Sequence, residues 1–210
     1  MIVHVHRRAL EAGIGPVRVV TDAPEIVAAV EAAGGLAVMT QGSHHSGSDR
    51  VWEGVKVVDP DGLHDVVVNL QGDLPGLDPM ILRAAVESLS DPAVSIGTLA
   101  APTLDPNEKA DPNVVKLVGT QVAPDRHRAI YFTRAPAPWG DGACWRHIGV
   151  YAFRRPALER FAALEPSRLE LRERLEQLRA LEDGMRIDAV IVERAPRSVD
   201  THADLEALRK

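Results

Sequence analysis

The sequence holds one cysteine, Cys144, which excludes a disulfide within the chain and suits a reducing compartment. With no partner base in view, Cys144 does not read as a nucleophile. No apolar run approaches the roughly 20 residues that cross a bilayer, and no charged start followed by an apolar stretch marks a signal peptide. The expectation is therefore a cytoplasmic protein with no membrane insertion. Aromatic residues make up only 4% of the chain and the formal charge is -6, which leaves nucleic-acid binding without support. A local basic pocket for a small anion remains compatible with that balance. Neither a low-complexity linker nor an internal repeat interrupts the 210 residues, 45% of them hydrophobic and 26% charged, so the chain reads as one domain, residues 1–210, with a sizeable core.

Strand-like apolar runs alternate with helical patterns. Val17–Val20 precedes a helical stretch at Pro24–Ala33; Leu36–Thr40 precedes another at Arg50–Val58; then comes the run after Asp65. A helix over Pro79–Leu89 leads to a strand at Val94–Leu99. Less regular strands follow at Val114–Val118, Ala129–Thr133 and Ile148–Phe153. Helices at Pro156–Leu164 and Leu169–Leu181, a strand at Ile187–Val192 and a last helix at Ala203–Arg209 complete the order. Such alternation predicts an α/β fold with a mostly parallel central sheet and helices on both faces. Asp-Pro recurs at Asp59, Asp78, Asp91, Asp105 and Asp111, a supply of turns and helix N-caps.

Asp65–Pro75 reads DVVVNLQGDLP, an apolar run that stops at Gln71, Gly72 and Asp73. Ligands of open parallel sheets bind beyond the carboxyl ends of the strands, where these residues fall. Gly72 permits close approach of a ligand to the backbone, and the Gln71 amide offers donors and an acceptor to a polyhydroxylated substrate. The Asp73 carboxylate is a hard donor of the kind Mg2+ takes; it reads equally as the cap of the next turn. Asp200, after the strand IDAVIVE, is either an ordinary N-cap or a second ligand paired with Asp73.

In order along the chain, MTQGSHHSGSDR, NLQGDLP, DPNVVKLV, YFTRAPAPW, RHIGVYAFRR, LEQLRALEDGMRID and VDTHADLEALR carry a resemblance that spans nearly its whole length. The chain is similar to the 3-deoxy-manno-octulosonate cytidylyltransferase family. That resemblance implies a Rossmann-like fold of the nucleotidyltransferase type, a homodimer, and transfer of CMP from CTP to 3-deoxy-D-manno-octulosonate (Kdo) with release of pyrophosphate, for lipopolysaccharide synthesis. It implies Mg2+ held by Asp73 and Asp200, both catalytic. It further implies a sugar site lined by Arg50, Gln71, Arg134, His147, Tyr151, Glu176 and Gln177, with His45 and Ser46 on a loop that approaches the nucleotide. Read alone, Arg134 is more readily a surface cation, His147 a core histidine, and Glu176 with Gln177 a solvated helix face, with their projection off the leucine stripe the one hint of a dimer-related pocket. Ser48 and Asp49 equally cap the helix behind them.

The chain departs from the family pattern at its start. Members begin with a strand and a basic loop, IIPAR then RLPGKPL, whose cations grip the triphosphate; here the first residues are MIVHV, which match sequence just after that loop. The expectation is a domain truncated at its N-terminus, Met1 being an internal methionine. A central strand of about 5 to 6 residues carries roughly ten ladder hydrogen bonds at about 1 kcal/mol each, on the scale of a domain's net stability of about 5 to 15 kcal/mol. Leu74 replaces a common Glu, and Ser48 a common Thr. Two other functions stay open: an inactive remnant that keeps a sugar pocket, and a cytidylyltransferase for another acidic sugar such as an acylneuraminate.

Overall fold

The computed structural model describes residues 1–199 and 206. Asp200 and nearly all of the expected last helix, Ala203–Arg209, lie outside the described residues.

The chain opens on helix α1 (Ile2–Ala12), which ends at Gly13 in the left-handed region, φ 61°, with the Gly13 amide bonded to Leu10 O. Strand β1 (Val19–Thr21), helix α2 (Pro24–Ala32) and strand β2 (Ala37–Met39) form a parallel unit. Helix α3 (Gly47–Val58) starts under a Ser46 cap, Asp49 N donating to Ser46 Oγ at 3.2 Å. Strand β3 (Val66–Leu70) is the DVVVNL run, and helix α4 (Pro79–Glu87) follows behind Asp78, whose carboxylate accepts from Met80 N. Then come β4 (Ile96–Thr103), α5 (Pro106–Ala110), β5 (Lys116–Ala123), β6 (Arg126–Thr133) and β7 (Cys144–Arg154). Helices α6 (Arg155–Ala163), α7 (Arg168–Glu173) and α8 (Gln177–Glu182) precede β8 (Ile187–Ile191). Each Asp-Pro aspartate accepts at least one nearby backbone N–H, as helix cap or turn.

The α/β class stands, but the sheet is mixed, which corrects the expectation of a mostly parallel one. Strand order is β3-β7-β4-β8-β6-β5, apart from the β1–β2 pair. Among the described residues, β4–β8 is the one parallel pair in this sheet; β7 runs antiparallel to β3, β4 and β5, and β6 antiparallel to β5 and β8. The reason lies in the middle of the chain, where β5, β6 and β7 succeed one another without crossover helices. Short connections between neighbouring strands leave only antiparallel pairing. Among the described residues β3 pairs with β7 alone, and its Val66, Val67 and Val68 are half-buried.

Alternate residues of the sheet feed two apolar clusters. Ile96, Ala100, Tyr151 and Phe153 pack with Val55, Leu158, Phe161 and Leu178 on the side of α3, α6 and α8. Leu99, Ala101, Val150 and Ala152 pack with Ala12, Leu82 and Ala85 on the side of α1 and α4. Helices thus cover both faces, each set by the period-two alternation of the strands.

Candidate active site

Leu169–Leu181, expected as one helix, is two. Arg174 takes φ 57°, a left-handed conformation uncommon for a side chain with a Cβ, and ends α7. The break turns Glu176 and Gln177 inward instead of onto a solvated face. Buried Arg179 pins it: its guanidinium forks onto Glu170 at 2.8 and 2.6 Å, bonds Asp49 of α3 at 2.9 and 3.2 Å, and lies 4.3 Å from the Phe161 ring centroid. Two acidic partners hold this arginine charged despite its burial.

Inward of that break lies a cavity of about 260 Å3 lined by Gln71, Asp73, Arg134, His147, Tyr151, Glu176 and Gln177. Strand β7 supplies His147 and Tyr151, the end of β3 supplies Gln71 and Asp73, and the α7–α8 break supplies the rest save Arg134, which follows β6. Glu176 is bound through both oxygens: Ser48 N donates to Oε2 at 2.9 Å and Gln71 Nε2 to Oε1 at 3.2 Å. Burial pushes its carboxyl pKa up, against the pull of the Ser48 amide. The Tyr151 hydroxyl donates to Gln177 Oε1 at 3.0 Å, and burial raises its pKa well above the usual phenol value. Gln177 Nε2 is buried with no hydrogen-bond partner among the described residues, a donor that a ligand's oxygen can satisfy. Burial pushes the His147 imidazole down to about 3, so it is neutral.

Arg134 is less available. Its Nε donates to Glu173 O at 2.9 Å, Nη1 to Pro112 O at 2.9 Å and Nη2 to Arg174 O at 3.4 Å, so its fork staples the loops that rim the cavity. Lys116 has a similar part beneath them: its buried Nζ donates to the carbonyls of Asp111, Val114 and Arg134.

Arg50 and His45 stand apart from this cavity, and Ser46, though not lining it, lies beside Glu176 and helps hold its carboxyl pKa down. Arg50 bonds Thr40 Oγ1 at 2.7 Å and Asp22 at 3.2 Å, beyond the ends of β1 and β2. Ser46 caps α3, and its Oγ donates to Asp49 Oδ2 at 2.9 Å; the Ser48 side chain instead accepts from Asn69 Nδ2 at 3.1 Å. His45 lines a second cavity, of about 430 Å3, with the His44–Glu53 pair, Lys56 and Arg179. Asp200 lies outside the described residues; Val199 N donates to Asp73 O at 2.9 Å.

The cavity also holds residues that the sequence reading passed over: Asn113, Arg146, Arg174 and Ser198. Asn113 and Arg146 fall within DPNVVKLV and RHIGVYAFRR, and their sequence signal is adjacency to the other candidate residues of those motifs. Arg146 pairs with Glu108 at 3.0 Å. The Arg174 side chain makes no ion pair or hydrogen bond among the described residues, and nothing in a leucine-spaced helical pattern marks it.

The fold is α/β of the nucleotidyltransferase type, and a polar cleft lined by an aspartate, side-chain amides and hydroxyls opens at its strand ends. Residues 1–187 match the family described as Cytidylyltransferase, and the chain belongs to that family. It is 66% identical over 209 residues to the 3-deoxy-manno-octulosonate cytidylyltransferase of Methylobacterium radiotolerans, covering 100% of this chain and 85% of the relative. It is 60% identical over 210 residues to the protein of that name from Nitrobacter hamburgensis, covering 100% of this chain and 81% of the relative. Among solved structures, CMP:2-keto-3-deoxy-manno-octonic acid synthetase complexed with CTP superposes with a TM-score of 0.89 at 37% identity, over 99% of this chain and 85% of that one. UDP-glucose pyrophosphorylase, at 12% identity and a TM-score of 0.60 over 99% of this chain and 86% of that one, shares the fold.

Proposed function

We propose that this cavity transfers CMP from CTP to Kdo, releasing pyrophosphate, as a step toward lipopolysaccharide. The observation that carries the reading is the convergence of Asp73 with Gln71, His147, Tyr151, Glu176 and Gln177 on one cleft, in a chain 60% or more identical to relatives named for that reaction. The same relatives favour Kdo over other acidic sugars.

The chemistry needs positioning and charge neutralisation more than a nucleophilic side chain. Mg2+ is the proposed metal, with Asp73 and Asp200 as its ligands. Asp73 fits by donor chemistry: a hard carboxylate lines the cavity. That suits an ion which takes one or two protein carboxylates. When bound, Mg2+ neutralises charge on the triphosphate and makes the sugar hydroxyl more acidic. The chain's own residues orient the sugar. Gln177 Nε2 donates to it, and Gln71 holds Glu176 in place along the wall. A homodimer is also proposed, supported by the exposure of Ile130 and Trp139, large apolar side chains. No helix of the described residues is long and apolar enough to cross a membrane, in keeping with a proposed cytoplasmic setting.

The test is pyrophosphate release from CTP and Mg2+ with and without Kdo, beside Asp73→Asn. Release that depends on Kdo and is lost in the variant supports the reading. Release without Kdo, or Kdo-dependent release that Asp73→Asn leaves intact, overturns it, while silence from a folded chain points to the missing N-terminal basic loop.

A further inference from the structure

Thr98 is fully buried in β4, at the point where β7 carries two residues more than its partner: the register steps from Gly97–Ala152 to Leu99–Ile148. Bulges of this kind re-aim side chains next to functional sites. The Thr98 hydroxyl bridges the step. Its Oγ1 lies 2.7 Å from Val150 O, 3.4 Å from Ile148 O and 2.9 Å from His147 Nε2.

Those distances fix a proton. A hydroxyl has one hydrogen, and a carbonyl can only accept. The contact to Val150 O, shortest of the three, therefore takes the Thr98 hydrogen. A lone pair of Oγ1 is then left facing Nε2, so Nε2 must carry hydrogen for that contact to be attractive. The imidazole is neutral, having been pushed down to about 3 by burial, and a neutral ring holds one N–H. Nδ1 is left with a lone pair. The ring plane is held by Phe132, edge-on at 4.8 Å between centroids, and by Tyr151 at 5.6 Å.

We propose that Thr98 is a positioning residue that locks His147 in the Nε2–H tautomer, so that His147 meets Kdo as an acceptor through Nδ1. A sugar hydroxyl can donate to Nδ1; a carboxylate, with no hydrogen to give, is repelled there. The Kdo carboxylate is accordingly turned away from His147, toward donors such as the orphan Gln177 Nε2 and the cation of Arg174. The acceptor role toward Kdo rests on the function proposed above; the tautomer does not.

The tautomer is read in the ligand-free chain by two-bond proton–nitrogen correlation of 15N-labelled imidazoles at neutral pH, with the His147 signals assigned by their loss in His147→Gln. The wild type and Thr98→Ser are expected to carry the proton on Nε2. Thr98→Val, of similar shape with no hydroxyl, is expected to shift to Nδ1–H or to a mixture. A wild-type ring protonated on Nδ1 overturns the proposal whether or not Thr98→Val folds. An unchanged tautomer in folded Thr98→Val overturns the part given to Thr98. In kinetics, Thr98→Val raises the KM for Kdo about tenfold, the worth of one hydrogen bond, leaves the KM for CTP unmoved, and is rescued by Thr98→Ser. Equal changes for both substrates mark a merely structural residue and overturn the positioning role. Pyrophosphate release without Kdo overturns the acceptor role toward Kdo, while the spectra still decide the tautomer.

Discussion

The Tyr151 hydroxyl and Gln177 Oε1 meet at 3.0 Å, tying the middle of β7 to the first turn of α8. Both residues are buried, so the bond fixes the wall of the cavity and leaves Gln177 Nε2 as a buried donor without a partner among the described residues. Tyr151→Phe strips Oε1 of its donor in a dry environment. The expected cost is about 1–3 kcal/mol in urea unfolding, with a KM for Kdo raised more than that for CTP. An unchanged unfolding midpoint contradicts this assignment.

Arg179 joins three helices through two carboxylates. Arg179→Met leaves Glu170 and Asp49 facing each other with no cation, and the expected loss is about 3–5 kcal/mol, seen as a lowered denaturation midpoint. Arg179→Lys recovers little of it, because an ammonium cannot bond both carboxylates as a planar fork does. Full recovery by lysine counts against the fork.

Acid sensitivity follows from His147. Its folded pKa of about 3 lies below the unfolded value near 6.5, so between those pH values the unfolded chain binds the extra proton. Stability is therefore complete above the unfolded pKa and falls as pH drops through the window, at up to about 1.4 kcal/mol per pH unit from this group. Denaturant titrations at pH 7, 6, 5 and 4 measure the slope. It should flatten by about that amount in His147→Gln; equal slopes refute the assignment.

Two glycines near the bulge differ in what they tolerate. A Cβ on Gly97 would sit 2.0 Å from Ser88 Oγ and 2.2 Å from Ala85 O, so α4 would have to move off β4. On Gly149 the nearest atom is Gln71 Cγ at 3.9 Å, ordinary contact. Gly97→Ala is expected to cost about 1–3 kcal/mol or more by overpacking, and Gly149→Ala far less in stability. Comparable unfolding midpoints for the two variants contradict this reading.

Local pattern made much of the fold legible. The apolar run of β3, the Asp-Pro cap before α4 and the β8 run fall where sequence reading put them, because caps and periodicity act within a few residues. Strand β4 extends past its expected end at Leu99 to Thr103, since Ala100 pairs with both β7 and β8 and Ala101–Thr103 pair with β7. The split of α7 from α8 was hidden for a similar reason: Leu175, Leu178 and Leu181 keep helical spacing across a break that the distant Asp49 and Arg134 hold in place. Helix α1, not anticipated, ends on a glycine signal that was there to read.

The sequence by itself determined the α/β class, an aspartate beyond a strand, and motif order enough to nominate the residues of one sugar site. Only the tertiary structure decided the direction of β6 and β7, the inward turn of Glu176 and Gln177, the separation of Arg50 and His45 from the cavity, and the hydrogen carried by Nε2 of His147. Those depend on contacts such as Ser48 to Glu176, 128 positions apart, which form when packing brings distant segments together and leave no periodic trace in the chain.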